Sequence, residues 1–308
     1  MNLSTAIANF LAYIKNVRSY SPLTCKTYKC SLDGFFLAMG DIDVSTLNKS
    51  NLAAYYSFLN ARLGKSGEKL TSRSKNLNIS TLRSFLNFLR KDNEAVLDPR
   101  KIEFAKTSST TLSPTVLNEN ELQSLLSCPP TSSLAGKRDK AILELFYSTG
   151  MRVSELCNLK RSQAEEKSEL EIVGKGNKTR LVFVSSAAKE AVDNYLKARV
   201  DNDPMLFIRH DAQVKFKGTI GSKMSTNALN ALVKKYAKQA GIEKNVHPHT
   251  LRHQFATDLL KGKADIASIS TLLGHTSIAT TQIYLHLSQD DLRATFKKCH
   301  AADRVKLD

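Results

Sequence analysis

ELEIVGKGNKTRLVFV, residues 169–184, is the stretch that decides the fold. Apolar and β-branched residues crowd both of its ends, and Gly174-Lys175-Gly176-Asn177 divides them, so the segment reads as a β-hairpin. On either side of it apolar residues recur at helical spacing. The expected fold is therefore mainly α, with a mixed α/β but mostly helical second part that carries one small hairpin.

Towards the N-terminus, helices are expected near 119–126 and 137–148, the latter ended by Thr149-Gly150. AKTSSTTLSPTVLN, residues 105–118, is rich in Ser, Thr and Pro and poor in bulky apolar side chains. It places a linker at 107–118, between a helical first domain, 1–106, and a second domain, 119–308. The first domain reads as four helices. Their stripes are Ile7, Phe10, Leu11, Ile14 and Val17; Leu23, Tyr28, Leu32, Phe35 and Phe36; Leu52, Tyr55, Tyr56 and Leu59; and Leu77, Leu82, Phe85, Phe88 and Leu89. Ser21-Pro22 reads as a cap with proline at the first helical position, and Gly40 as a stop. Towards the C-terminus, helices are expected at 187–199, 225–240, 250–261, 265–273 and 277–287.

The 308 residues carry 45 Lys and Arg against 29 Asp and Glu, a net charge of +16. Residues 1–110 hold 16 basic and 8 acidic side chains and the remainder 29 and 21, so each part is +8. An even basic excess points to a polyanion gripped by both domains rather than to a basic tail on a neutral enzyme. Composition alone leaves open a ribosomal or otherwise merely basic protein. No apolar run approaches the roughly 18 residues that cross a bilayer. The N-terminus lacks the charged start of a secretory signal. Five cysteines without a CxxC pair fit reduced thiols in the cytoplasm.

Four local features bear on chemistry, and each alone has a plainer reading. In TGMRVSEL, residues 149–156, Arg152 follows a helix break and can aim its fork of donors at a phosphate; a surface ion pair is the plain alternative. In GKGNKTR, residues 174–180, Lys175 sits between two glycines on a compact turn, yet the P-loop spacing is absent. In HPHTLRHQFATDLL, residues 247–260, His249 and Arg252 share a helix face. His253 lies four residues on from His249, but the Glu of HExxH is missing, so a structural His253 is expected rather than a metal ligand. In LLGHTSIATTQIYLH, residues 272–286, His275 follows a glycine and Tyr284 lies nine residues further on.

Taken in order, these four motifs resemble those of the tyrosine recombinase (lambda-integrase) family, most closely its Xer-type site-specific recombinases. SPLTCKTYKCSLDGFF and ISTLRSFLNFLRKDN resemble, less distinctively, the family's SAM-like core-binding domain. The resemblance spans nearly the whole chain. It implies an N-terminal SAM-like helical core-binding domain, a catalytic domain and a C-terminal segment that contacts a neighbouring subunit. Carried over residue by residue, it implies catalytic roles for Arg152, Lys175, His249, Arg252, His275 and Tyr284. Glu155 would orient one of these neighbours. Ser270 stands where the family often has Gln, and the region 162–172 is short.

The activity so implied is site-specific cleavage and rejoining of DNA through a 3′-phosphotyrosyl link. It would serve chromosome-dimer resolution, or integration and excision of a mobile element. Tyr284 is the implied nucleophile and His249 its base. Arg152 and Arg252 would hold the nonbridging oxygens, Lys175 would protonate the leaving 5′-oxygen, and His275 would place the phosphate. The phosphodiester energy is kept in the protein link, so no metal and no cofactor is expected. The implied partners are double-stranded DNA bearing a specific site and a homo- or hetero-tetramer of recombinase subunits. A DNA translocase or a DNA-bending accessory protein is compatible with this, and no membrane is involved. The rivals are a type IB-like DNA topoisomerase and a non-catalytic DNA-binding regulator.

Overall fold

The computed structural model describes residues 1–64, 67–92, 97–106, 115–165, 167–174, 179–210 and 223–274. The chain divides into two compact units, Met1–Thr111 and Leu112–Asp308. The expected helix at 277–287, and Lys175, His275 and Tyr284, lie outside the described residues.

The first unit contains α1 (Leu3–Asn16), α2 (Pro22–Met39), α3 (Lys49–Ala61) and α4 (Ser72–Leu89). Side chains set the helix starts. Ser21 accepts the Thr24 N–H with Pro22 in the first turn, Asn48 forms a capping box with Asn51, and Thr71 accepts the Ser74 N–H. α2 ends at Gly40, whose φ of 70° suits glycine. Helix α2 packs against α1, α3 and α4. Phe10, Phe85, Leu32, Leu59 and Leu82 are buried at the centre, with the Phe10 ring 5.6 Å from Phe85 and 5.4 Å from Phe88. Each such side chain contributes about 1.5–3 kcal/mol by leaving water. Val17, Leu23, Phe36 and Leu77, read from spacing as part of the stripes, are exposed. Val17 stands just past the last residue of α1 and Leu23 in the first turn of α2, at the ends of their helices.

The second unit is built on α6 (Leu134–Thr149), which carries buried Ala141, Ile142, Leu143, Leu145 and Phe146. Around α6 pack α5 (Glu119–Ser127), α9 (Ser186–Ala198), α11 (Pro248–Lys261) and the second hairpin strand. α6 begins at Leu134 rather than at 137, because Ser133 caps it and Gly136 fits its first turn. A Cβ at Gly136 would stand 1.7 Å from Pro130 O, so this glycine marks close approach and not a break. The remaining elements are α7 (Val153–Cys157), α8 (Arg161–Ala164), α10 (Thr226–Gln239) and α12 (Ile266–Leu273). Leu117 is buried in this unit, its N–H donating to Gln254 Oε1 at 2.9 Å, and Asn118 caps α5.

The hairpin pairs β1 (Glu169–Val173) with β2 (Thr179–Phe183), antiparallel. Leu170, Ile172 and Val182 face the core. Because strand side chains alternate, Arg180, which pairs with Ile172, points to that same inner face. Among the described residues no helix is long and apolar enough to cross a membrane.

Candidate active site

The site begins where α6 ends. Thr149 Oγ1 donates to Leu145 O at 2.6 Å, and Gly150 turns the chain in the left-handed conformation, φ 57°. A Cβ on Gly150 would lie 2.5 Å from the Phe255 ring, so only glycine lets this turn approach α11. Buried Met151 follows, and Arg152 then stands as the N-cap of α7.

Glu155, one turn into α7, is the hub. Its Oε2 accepts the Arg152 backbone N–H at 2.8 Å and its Oε1 accepts Arg152 Nη1 at 2.9 Å. From β2, Arg180 donates Nη1 to Oε1 at 2.9 Å and Nη2 to Oε2 at 2.7 Å, a two-pronged pair. Burial by itself pushes the Glu155 carboxyl up. The Arg180 hydrogen bonds, then the Arg152 backbone N–H and guanidinium, outweigh it and hold the pKa at about 2. Glu155 is thus an anion that fixes two arginines.

A second hub is the end of α12. Its last carbonyls have no partner within the helix, and Gly274 closes it at φ 63°. Three consecutive oxygens each receive one guanidinium. Arg180 Nε donates to Leu272 O at 2.9 Å, Arg252 Nη2 to Leu273 O at 2.7 Å, and Arg152 Nη2 to Gly274 O at 2.9 Å. The negative end of the helix dipole favours this. Arg252 also donates Nη1 to Gly150 O at 2.6 Å, which ties the α6 turn to the α12 turn. Arg252 is buried, whereas the Arg152 side chain keeps 36% of its exposure.

His249 lies in the first turn of α11, where His247 Nδ1 caps by accepting the Thr250 N–H and Pro248 starts the helix. The His249 ring meets the buried His253 ring edge to face, centroids 4.3 Å apart, while His249 itself stays open to solvent. Desolvation, followed by the charges of Arg252, His247 and Arg152, lowers the His249 pKa below 6.5. The imidazole is neutral at pH 7 and can accept a proton.

The structure therefore brings Arg152, Glu155, Arg252 and His249 together, each within reach of another's charge. Among the described residues no group of three or more His, Cys, Asp or Glu side chains is placed to hold a metal ion. Sequence reasoning left Arg180 without a role. The signal was the alternation of β2, which puts an arginine on the strand's apolar face opposite Ile172.

Comparison with known proteins agrees with this architecture. The phage integrase family model matches residues 115–291, and the model of the phage integrase N-terminal SAM-like domain matches 7–93. Tyrosine recombinase XerC of Shewanella amazonensis is 35% identical over 306 residues, 98% of this chain and 98% of the relative. Tyrosine recombinase XerD of Lacticaseibacillus casei is 34% identical over 296 residues, 96% of this chain and 98% of the relative. The fold is also that of the Tn1549 transposon integrase, solved with transposon right end DNA. That match has a TM-score of 0.74 at 19% identity and covers 98% of this chain and 100% of that one. With a helical SAM-like unit followed by an integrase unit, and with relatives of this identity along its whole length, the chain belongs to the phage integrase family as an Xer-like tyrosine recombinase.

Proposed function

We propose that the chain cleaves and rejoins double-stranded DNA at a specific site, with Tyr284 as the nucleophile. The observation that carries this reading is the convergence of Arg152 and Arg252 on the Leu273–Gly274 turn, directly ahead of His275 and ten residues ahead of Tyr284. The net charge of +16 supports a polyanionic substrate.

In the reaction the Tyr284 oxygen attacks phosphorus, the bond to the 5′-oxygen breaks, and a 3′-phosphotyrosyl link forms. The phenol proton passes to neutral His249. Lys175 supplies the proton that the leaving 5′-oxygen takes up. Arg152, with its exposed fork, and Arg252, beneath it, stabilise charge on the nonbridging oxygens. His275 adds a hydrogen bond there. Glu155 touches no phosphate in this scheme and aims Arg152. A 5′-hydroxyl from a second duplex reverses the step, which joins strands of two sites. The working assembly is a tetramer of recombinase subunits on two DNA sites in the cytoplasm. Residues 1–106 grip DNA, 107–118 link the two domains, and 119–308 carry the chemistry and, near the C-terminus, a subunit contact.

The test incubates the chain with a randomised pool of nicked duplexes in EDTA and isolates DNA that becomes linked to protein. A link that forms in EDTA and is lost in Tyr284→Phe is expected. A link that survives Tyr284→Phe, or that needs a divalent metal, overturns the reading. Joining of two sites on one plasmid, rather than relaxation alone, separates recombination from topoisomerase activity.

A further inference from the structure

Arg180 has no part in the reaction described above, yet like Arg152 it touches both hubs of the site, and among the described side chains it alone holds both oxygens of Glu155. Two of its nitrogens hold the two oxygens of Glu155, and its third holds Leu272 O in the last turn of α12. Its side chain is only 9% exposed. Its aliphatic part lies under Gly274, where a Cβ would stand 2.8 Å from Arg180 Cδ. One residue on β2 thus joins three chain segments far apart in sequence: the α7 turn with Arg152, its own hairpin, and the turn that leads into His275.

This arrangement is more than a buried ion pair. A lysine would meet Glu155 with three donors on a single nitrogen, and that point charge could not hold both carboxylate oxygens and a carbonyl in one plane. The planar fork fixes the Glu155 rotamer. Glu155 in turn holds both the backbone N–H and the Nη1 of Arg152. The other terminal nitrogen of Arg152, Nη2, ends on Gly274 O, next after the carbonyls that Arg180 and Arg252 hold. The direction in which Arg152 presents its exposed fork therefore depends on a side chain that never reaches that surface.

We infer that Arg180 is a positioning residue for strand cleavage, setting through Glu155 and Leu272 O the relative placement of Arg152 and the Leu272–Gly274 turn. The inference rests on the function proposed above. Misplacement of a reacting group by about 1 Å costs on the order of 100-fold in rate. Loss of Arg180 is accordingly expected to slow cleavage without loosening the grip of the whole chain on its duplex, because that grip is spread over many other basic side chains.

The experiment uses the full chain and a nicked duplex recovered from the covalent selection. It measures the dissociation constant and the first-order rate of covalent link formation at saturating protein. For Arg180→Met the expected result is a rate lower by about 100-fold, with a dissociation constant within about threefold of the parent. For Arg180→Lys, which keeps the charge on one donor nitrogen but loses the planar fork, the expected rate loss is about tenfold. Adding Glu155→Gln to Arg180→Met should cost little more than Arg180→Met alone, since both changes cut the same link. Three results overturn the inference: a variant rate within twofold of the parent, affinity and rate falling in the same proportion, or fully additive losses in the double variant. If Arg180→Met does not fold, Arg180→Lys is read by the same criteria. A parent chain that links no DNA overturns the proposed function and this inference together. A parent that links DNA while Arg180→Met keeps pace overturns this inference alone.

Discussion

Arg152 and Arg252 end on neighbouring carbonyls, Arg152 Nη2 on Gly274 O at 2.9 Å and Arg252 Nη2 on Leu273 O at 2.7 Å. Two guanidiniums from different helices are thereby locked to one short turn. Their mutual repulsion is offset by that turn's carbonyl dipoles and by the Glu155 anion beside Arg152. In the function proposed above, such a pair is ordered before any substrate arrives, as electrostatic catalysis needs.

Arg252→Met should destabilise the second unit. The change strands Gly150 O and Leu273 O in a buried place, and an unmade hydrogen bond there costs about 1–3 kcal/mol each. Urea unfolding should show a loss of roughly 2–6 kcal/mol. A loss below about 0.5 kcal/mol, the size of an ordinary surface change, would show that the two carbonyls find other partners.

Glu155 should make stability fall in acid. Its folded pKa of about 2 lies below the ordinary 4.5, so its contribution is complete above pH 4.5 and is lost as pH falls towards 2. The size is on the order of 3 kcal/mol for this nearly buried carboxylate. Thermal scans across that window should show a steeper decline for the parent than for Glu155→Gln. Parallel declines would mean that the Arg180 and Arg152 contacts do not hold the carboxylate in solution.

His249 titrates in the opposite sense. Its folded pKa lies below 6.5, so the unfolded chain takes up the proton first as pH falls, and the residue costs stability below pH 6.5. As the proposed base it must also be neutral to act. Cleavage should therefore be constant above pH 6.5 and decline below it, and His249→Gln should cut the rate on the order of 100-fold. The same variant should abolish that acid limb. A limb that persists in His249→Gln would assign the titration to another group.

Gly274→Ala and Gly241→Ala form a matched pair, with φ of 63° and 70°. Both incur the left-handed strain of about 1–2 kcal/mol. Only at Gly274 does the new methyl meet a neighbour, Arg180 Cδ at 2.8 Å, whereas nothing lies within 4 Å of the site on Gly241. Gly274→Ala should lower the melting temperature more than Gly241→Ala and should also slow cleavage. Equal shifts in the two variants would show that Arg180 moves aside freely.

Local patterns made much of this legible. Ser21-Pro22 and Gly40 bounded α2, and the apolar and β-branched runs on either side of Gly174-Lys175-Gly176-Asn177 marked the hairpin. These features depend on nearest neighbours along the chain. Leu23 and Leu77 misled because spacing finds a stripe but not how far neighbouring helices cover it. Arg152, His249 and Arg252 were legible through their motif, which fixes residue types but not contacts. Arg180 stood in the quoted motif without a role, since its partners lie 25 and 92 residues away in the chain. No periodicity encodes a meeting of that kind.

The end of α12 works as a molecular ruler. Its three carbonyls match three fixed guanidiniums in consecutive order, so the count of residues is read out in space. One residue added to or removed from that helix would rotate its end by about 100° and shift it by about 1.5 Å, aiming every carbonyl at the wrong nitrogen. Chimaeras that exchange C-terminal segments between relatives should therefore be joined beyond Gly274, where the measurement has already been taken.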